Sequence, residues 1–364
     1  MVNPNSITYI LLAGTVSFLF SLICTPFIVK ICQIKNLYDQ PDNRKVHRLA
    51  IPRLGGTLFM PSMGLGVVTA LIAMYGGVHQ TFDVYISTIL LCIGSLLIYL
   101  IGILDDLNGM KAVHKFAIQL MTALAFPLCN LSINNLHGTF GLYEIPLYVS
   151  YPLTVFVILL IVNAMNLIDG IDGLSSGLGM LMLIAFTYLF HQQNFGMFCL
   201  MSGGLTGAVL AFFIYNVFGK IGKNKIFMGD SGSLFIGYVV AYLAIKYQMS
   251  NEDAGFPYRE DSLITSWTLV FIPCIDVIRV AVMRKLHHKN MFDADMTHIH
   301  HRIMQAGLTM HQTLGVIIAL FFAICFINYG LNGLGVNCTW IMGADILLYG
   351  LIIFFLEQKP FRKN

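Results

Sequence analysis

Long apolar runs recur along almost the whole chain, and they limit most strongly what it can fold into. About 20 consecutive apolar residues cross a bilayer as a helix. The 364 residues are 57% hydrophobic and only 11% charged, which is not a soluble composition. The sequence therefore predicts an all-α integral membrane protein with about eleven transmembrane helices. We place these spans at approximately 7–30, 54–75, 85–104, 116–133, 152–167, 173–191, 197–218, 232–248, 263–284, 313–331 and 339–357.

The basic residues are distributed unevenly between the connections. With the N-terminus outside, all of the 21 Lys and Arg residues except Lys246 and Arg259 fall on one side. An excess of Lys and Arg marks the cytoplasmic side, so we expect an outside N-terminus and a cytoplasmic C-terminus. Residues 131–150 are expected to form an outside hairpin. Without an internal repeat, we expect one polytopic domain over residues 1–364, with cytoplasmic loops at about 31–53, 105–115, 168–173, 219–233 and 285–312.

The stretch Asn163-Ala-Met-Asn-Leu-Ile-Asp-Gly-Ile-Asp-Gly-Leu174 places two amides and two carboxylates directly after an apolar run. Ionisable residues beside a hydrophobic span are costly and are retained where they face a water-filled cavity or hold a ligand. Asn166, Asp169 and Asp172 are spaced three apart, so a near-helical backbone would put them on one face. The glycine after each Asp lets the backbone approach a ligand closely. A polar turn between two spans is the alternative.

A pair of adjacent carboxylates, Asp105 and Asp106, follows the third span. The two charges repel each other unless a cation lies nearby. Lys111 and Lys115 follow within a few helical turns, and a divalent metal would serve equally well. Capping of the fourth helix by solvated carboxylates is the alternative.

The segment Phe227-Met-Gly-Asp-Ser-Gly-Ser233 opens the eighth span. Asp230 and Ser231 stand where a helix N-cap belongs, and the flanking glycines are expected to leave the amides exposed. In the predicted topology the fourth, sixth and eighth helices begin on the cytoplasmic face, so their positive ends would converge and favour a diphosphate. A carboxylate there repels phosphate unless a hard cation intervenes, and oxygen ligands select Mg²⁺ or Mn²⁺. Simple capping by Asp230 is the alternative.

The largest cytoplasmic loop contains His298-Ile-His-His-Arg302. Three His and one Arg in five residues fit a transition-metal site, a set of phosphate donors or a solvated basic turn. Arg302 cannot ligate a metal but binds phosphate through two hydrogen bonds, and no Cys lies near, so we favour phosphate donors. Asp295 could orient an imidazole.

Charged residues in the first loop and in the ninth span carry weaker signals. Arg44–Arg48 fits a role at the inner surface beside anionic lipid. Arg53 precedes Leu-Gly-Gly at the start of the second span and is the better candidate for a phosphate contact. Asp276 and Arg279 lie three apart in the ninth span and could neutralise each other.

Together these motifs resemble one family, the polyprenyl-phosphate N-acetylhexosamine-1-phosphate transferases, from about Leu37 to Leu308. The His-Ile-His-His motif, the Met-Gln-Ala-Gly that follows it, and the Arg-Lys-x-His of the first loop resemble one branch most closely. That branch transfers N-acetylglucosamine 1-phosphate from UDP-N-acetylglucosamine to undecaprenyl phosphate. The matching stretches are Pro52–Gly56, Asp105–Asp106 with Lys115 and Gln119, Asn163–Gly173, Phe227–Gly232 and His298–Arg302.

The resemblance implies Mg²⁺, or Mn²⁺, with Asn166 and Asp230 as metal ligands. It implies a bacterial inner-membrane enzyme with a cytoplasmic active site that starts cell-surface polysaccharide synthesis such as that of O-antigen lipopolysaccharide. Beyond its two substrates it implies contact with the bilayer and no nucleic acid, and it leaves a homodimer open. The implied catalytic residues are Asp105, Asp106, Lys115 and His300, and the implied substrate contacts are Arg53, Asn163, Asp169, Asp172, His298, His301 and Arg302.

We expect the lipid phosphate to attack the β-phosphorus of the nucleotide sugar directly. A phosphate monoester with a second pKa of about 6 is mostly dianionic at neutral pH, so a base has little to remove. An aspartyl-phosphate intermediate is the alternative mechanism, and another UDP-N-acetyl amino sugar is the alternative substrate.

Two other classes of protein fit the sequence less well. A cation-coupled transporter would carry charges near mid-membrane and repeated halves, whereas these charges cluster on one face and no repeat is found. An intramembrane aspartyl protease would have no use for Lys115 or Arg302.

Overall fold

The computed structural model describes residues 6–39, 50–76, 86–249, 258–288 and 297–358. These ranges contain two short antiparallel hairpins, β1 (Tyr38–Asp39) with β2 (Ile51–Pro52) and β3 (Asn135–Thr139) with β4 (Leu142–Glu144). A 3₁₀ turn, Gly55–Leu58, leads into the second helix. The helices are α1 (Ile7–Lys35), α2 (Phe59–Tyr75), α3 (Ile86–Asn108), α4 (Ala112–Leu128), α5 (Leu147–Leu167), α6 (Leu174–Gln192), α7 (Gly196–Phe218), α8 (Asp230–Gln248), α9 (Ser262–Leu286), α10 (Ile299–Gln305), α11 (Met310–Gly333) and α12 (Cys338–Glu357).

The predicted all-α membrane fold is confirmed. Each of the eleven predicted spans coincides with a helix. Within the described ranges, nine helices are long and apolar enough to cross a membrane: α1, α2 with its preceding turn, α3, α5, α6, α7, α9, α11 and α12. The helix α4 is apolar but shorter. The predicted hairpin within residues 131–150 is present as β3 and β4.

Two boundaries differ from the prediction. The third span continues through Asn108, so Asp105 and Asp106 lie on the last turns of α3 rather than in a loop. The last predicted loop contains a short helix, α10, which hydrophobic periodicity did not indicate because it has only seven residues. Both differences place predicted site residues on helices, where their directions are fixed by the backbone.

The central element is α8, which is buried on every side from Ser231 to Gln248. It contacts α3, α5, α6 and α9. A helix without a polar face is stable only where neighbouring helices or lipid cover all of its surface. These neighbours therefore enclose α8, and its first residue, Asp230, lies at the end of the bundle where the candidate site is found.

Glycines allow the start of α8 to pack closely between α3 and the 3₁₀ turn. A Cβ on Gly102 of α3 would lie 2.4 Å from the Cα of Ser231, and one on Gly56 would lie 2.2 Å from the Cα of Gly232. Real Cβ atoms essentially never come so close to backbone. Any larger residue at these two positions would therefore push α8 away from its neighbours.

We predict that Gly102→Ala destabilises the protein by about 1–3 kcal/mol, the usual cost of overpacking a dense interior. Thermal unfolding of the detergent-purified protein measures the effect. Gly64→Ala is the matched control, because Gly64 also lies inside a helix but a Cβ there meets nothing within 4 Å. Equal melting temperatures for the two variants would contradict the close approach of α3 and α8.

Candidate active site

A cavity of about 590 Å³ lies where α8 begins. Each of the five sequence motifs contributes at least one residue to its wall, so segments far apart in the chain converge as predicted. The described residues of this wall include Asn166 and His301, the cations Arg53 and Lys225, and the carboxylates Asp39, Asp105, Asp106, Asp169, Asp172 and Asp230. The wall is therefore rich in negative charge.

Lys115 lies between two of these carboxylates. Its Nζ is 3.1 Å from Oδ2 of Asp105 and 2.6 Å from Oδ2 of Asp230. On the other side of Asp230, Asn166 donates its Nδ2 hydrogens to Oδ1 at 3.1 Å and to Oγ of Ser233 at 2.9 Å. Lys115, which the resemblance implied to be catalytic, thus neutralises the two carboxylates that α3 and α8 bring together.

Asp106 has a different role from its neighbour Asp105. Its two oxygens accept hydrogen bonds from the amides of Asp230 at 2.8 Å and Ser231 at 3.0 Å, and the side chain is only 4% exposed. A carboxylate at a helix N-terminus satisfies amides that have no partner within the helix and stabilises its positive end. Asp106 of α3 therefore caps α8 from another helix.

This contact corrects two predictions about the start of α8. The N-cap position belongs to Gly229, with φ of 74°, and Asp230 is the first helical residue, so Asp230 does not cap the helix. The amides of Asp230 and Ser231 are not exposed to an anion, because Asp106 already accepts their hydrogens. A Cβ on Gly229 would lie 2.5 Å from Oδ2 of Asp106, so only glycine fits at this position without a clash.

The turn between α5 and α6 is held by two residues that the sequence analysis missed. Nζ of Lys225 lies 2.5 Å from Oδ2 of Asp172. Asn216 donates to Oδ1 of Asp172 at 3.4 Å and accepts from the amide of Gly173 at 2.7 Å. A polar residue in the last turn of an apolar span was the available signal for Asn216. Lys225 had none beyond the basic character of its loop.

Asp169 lies on the same turn and faces the cavity. Burial raises the pKa of its carboxyl to about 8, with further contributions from the negative charges of Asp230, Asp172 and Asp106. Desolvation and nearby like charge both favour the neutral acid. In the absence of an added cation, the cavity therefore favours the protonated form of this carboxyl.

The His motif divides between the wall and the interior behind it. His301 lines the cavity, whereas His300 is 1% exposed and lies behind Gly170. A Cβ on Gly170 would be 2.1 Å from Nε2 of His300, and neither ring nitrogen of His300 has a hydrogen-bond partner among the described residues. Burial lowers the pKa of His300 well below its usual value, and the neighbouring imidazoles lower it further. The structure thus places the predicted catalytic His300 behind the wall and His301 on it.

Two other residues of this motif bind protein groups. Nδ1 of His298 is 2.7 Å from Oδ2 of Asp276, and Arg302 forms an ion pair with Glu357 at 3.2 Å. Neither side chain lines the cavity. The prediction that Asp276 pairs with Arg279 is correct at 3.0 Å but incomplete, because Asp276 also binds His298. Asp295 and Arg44–Arg48 lie outside the described residues.

Asn163 also lies away from the cavity wall. Its Nδ2 donates to Oε1 of Gln119 and to the carbonyl of Leu159, both at 2.8 Å. The side chain therefore joins α5 to α4. This position does not support a direct substrate contact.

The residues that could hold a metal carry oxygen ligands. No group of three or more His, Cys, Asp or Glu side chains is close enough to hold a metal in the part of the chain that the structure describes. Asp105 and Asp230 nevertheless converge on one cation, the ammonium of Lys115, and the amide of Asn166 lies beside Asp230. Two carboxylates and an amide suit a hard divalent cation that keeps several water ligands.

Comparisons with known proteins give a consistent result. Residues 88–248 match the model of glycosyl transferase family 4. A probable undecaprenyl-phosphate N-acetylglucosaminyl 1-phosphate transferase of Bacillus subtilis is 31% identical over 346 residues, which cover 95% of this chain and 90% of the relative. Undecaprenyl-phosphate alpha-N-acetylglucosaminyl 1-phosphate transferases are also similar, at 28% identity in Yersinia pestis (95% and 90% covered) and 30% in Escherichia coli K12 (81% and 76% covered).

We predict that Asp106→Asn destabilises the protein by about 1–3 kcal/mol, because Asn has one acceptor oxygen and leaves one buried amide without a partner. Asp105→Asn is the matched control and should lose less than about 1 kcal/mol, since Lys115 keeps its contact with Asp230. Thermal unfolding of both purified variants tests the difference. A larger loss for Asp105→Asn would refute the capping role.

We predict that Asp169→Asn gains stability relative to the wild type as pH rises. The raised pKa means that the folded state binds a proton that the unfolded state releases, so wild-type stability falls as pH rises towards about 8. Asn does not titrate. Melting temperatures measured in EDTA from pH 5 to pH 9 should therefore diverge, and parallel curves would exclude the protonated carboxyl.

Proposed function

Since the chain belongs to glycosyl transferase family 4, we propose that it transfers N-acetylglucosamine 1-phosphate from UDP-N-acetylglucosamine to undecaprenyl phosphate. The products are undecaprenyl-diphosphate-N-acetylglucosamine and UMP. The observation that carries the proposal is the convergence of five motifs on one cavity at the end of a membrane bundle. A lipid phosphate can reach such a place from the bilayer while a nucleotide sugar arrives from water.

Electrostatics is the main obstacle to this reaction, because two anionic substrates must meet beside six carboxylates. We propose Mg²⁺, with Mn²⁺ as the alternative, held by Asp230 and Asn166 with Asp105 beside them. The bound cation supplies charge neutralisation for the diphosphate and the transferred phosphoryl group. The ammonium of Lys115, which bridges Asp105 and Asp230, supports this assignment because these carboxylates already require a cation.

The protein also supplies cations of its own for phosphate groups. Arg53 lines the cavity, and its buried Nε has no hydrogen-bond partner among the described residues, so it can donate to a phosphate oxygen. Lys225 and His301 lie on the same wall. Guanidinium groups bind phosphate through geometrically matched hydrogen bonds. We therefore assign Arg53 and His301 to substrate binding, and Asp169 and Asp172 with Lys225 to the nucleotide-sugar side.

Direct attack by the lipid phosphate is the mechanism that we favour. Both oxygens of Asp106 accept amide hydrogens of α8, which leaves Asp106 poorly placed as a base or nucleophile. Asp105 is also engaged through both oxygens, since Oδ1 accepts from the amide of Met110 at 2.6 Å and Oδ2 binds Lys115 at 3.1 Å, so neither member of the acidic pair is free to act as a nucleophile. Exchange of UMP into UDP-N-acetylglucosamine without lipid would instead indicate an aspartyl-phosphate intermediate.

We further propose that the protein is a multi-pass protein of the bacterial inner membrane, with the cavity on the cytoplasmic side. The Lys and Arg bias of the connections supports this orientation. The product would start a cell-surface polysaccharide such as O-antigen lipopolysaccharide. One chain supplies every residue that we assign to the cavity, and a homodimer is the alternative to a monomer.

We predict UMP release when the purified protein meets UDP-N-acetylglucosamine, undecaprenyl phosphate and Mg²⁺. EDTA should abolish it, and Asp230→Asn should lower the rate by about a hundredfold or more, as expected for a group that stabilises transition-state charge. Asp345→Asn is the matched control, because Asp345 is also a buried carboxylate but lies on α12, where it binds Trp267 and Asn328 at 2.9 Å, away from the cavity.

Three outcomes separate the alternatives. Faster UMP release from another UDP-N-acetyl amino sugar would keep the reaction and change the donor. Equal loss of activity in Asp230→Asn and Asp345→Asn would show that the first variant acts through folding. Cation flux in vesicles without UMP release would favour a transporter.

A further inference from the structure

The short helix α10 carries His301 to the cavity wall, and its own position depends on Asp276 of α9. Oδ2 of Asp276 is 2.7 Å from Nδ1 of His298. Oδ1 accepts from the amide of Ile299, the first residue of α10, at 3.0 Å. The carboxylate is 1% exposed. It thus binds the start of α10 through both of its oxygens.

Two other side chains, Arg279 and Tyr349, bind the same carboxylate and complete this anchor of α10. Arg279 donates to Oδ1 of Asp276 at 3.0 Å and also to the carbonyl of Thr297. Tyr349 of α12 donates its hydroxyl to the same Oδ1 at 2.7 Å. A seven-residue helix is too short to be stable alone, so such tertiary contacts decide where it lies. The anchor draws on α9, on α12 and on the residue before α10.

Asp276 also determines how His298 presents its ring. Facing Arg279, Asp276 is held as a carboxylate and can only accept hydrogen bonds. His298 must therefore carry a hydrogen on Nδ1. Its ring lies nearly parallel to that of His300, at 7° and 5.8 Å between centroids, and the ring of His300 is 4.2 Å from that of His301. Three imidazoles thus lie in contact from Asp276 to the cavity wall.

We propose that Asp276 is a positioning residue for phosphosugar transfer. Its carboxylate fixes the start of α10 and the orientation of His298, and the adjacent imidazoles carry that placement to His301. Tyr349 of α12 binds the same carboxylate and so connects α12 to the start of α10. The proposal rests on the proposed function for its chemistry, whereas the geometry of α10 can be tested without it.

Asp276→Asn is the variant that tests this role. An amide has the size of the carboxylate, but its NH₂ group must face either Nδ1 of His298, which then has to give up its hydrogen, or the donors at Oδ1, which then lose their acceptor. Asp345→Asn is the matched control for loss of a buried carboxylate among the same helices. Tyr349→Phe removes one of the four hydrogen bonds and should act in the same direction, but less strongly.

We expect Asp276→Asn to lower kcat/KM for UDP-N-acetylglucosamine by about 10- to 100-fold, the range found for carboxylates that orient functional histidines. Hydrogen exchange should rise at residues 297–305 and not elsewhere. The ¹⁵N spectrum of the His298 ring should lose the signature of a hydrogen on Nδ1. Asp345→Asn should leave kcat/KM, hydrogen exchange at α10 and this spectrum unchanged, even if its melting temperature falls as much as that of Asp276→Asn.

Unchanged exchange at α10 in Asp276→Asn, or kcat/KM per folded molecule within twofold of the wild type, would overturn the proposal. A wild-type protein that releases no UMP from any UDP-sugar would instead refute the proposed function. In that case exchange and the ¹⁵N spectrum still decide whether Asp276 holds α10 and His298. The two failures are therefore distinguishable.

Discussion

The hydrogen bonds from the first amides of α8 to Asp106 are the interaction on which the structure depends most. Because α8 is buried on every side, water cannot satisfy its N-terminal amides, and an unpaired buried amide is costly. Asp106 supplies both missing acceptors from α3. Gly102 and Gly56 permit the close approach that these bonds require. The contact that completes the central helix also places Asp230 at the cavity, so the packing of the bundle and the geometry of the site share one constraint.

Charge explains much of the remaining architecture. The carboxylates around the cavity would repel one another, and four of the six are tied to a donor from another segment, Asp106 among them through the amides of α8. Lys115 of α4 binds Asp105 and Asp230, and Lys225 binds Asp172. Asp169 instead has a raised pKa, which favours the neutral acid and so reduces its repulsion with the other carboxylates. Such an arrangement suits a site that receives positive charge together with its anionic substrates, since Lys115 and Lys225 are already engaged with its acids.

The sequence predicted what depends on composition and spacing, and missed what depends on side-chain direction. Apolar runs located the membrane helices, and the motifs converged on one cavity as expected. The sequence could not show that α3 extends past Asp106, which turns that residue towards α8. Nor could it separate His301 on the wall from His300 behind Gly170, because the difference arises from the turn of α10. Arg302 faces Glu357, a partner 55 residues away whose proximity no local pattern records.

The attachment of α10 to α12 bears on the order in which the chain matures. During synthesis α3 emerges before α8. Asp106, which accepts the hydrogens of the α8 amides, is therefore already present when α8 inserts. The opposite holds for α10, since Tyr349 and Glu357 follow it in the chain and reach it only after it has been made. Most of the bundle can therefore assemble while the histidine segment is still loosely held. The nascent protein therefore fixes the position of its histidine segment only after α12 has left the ribosome.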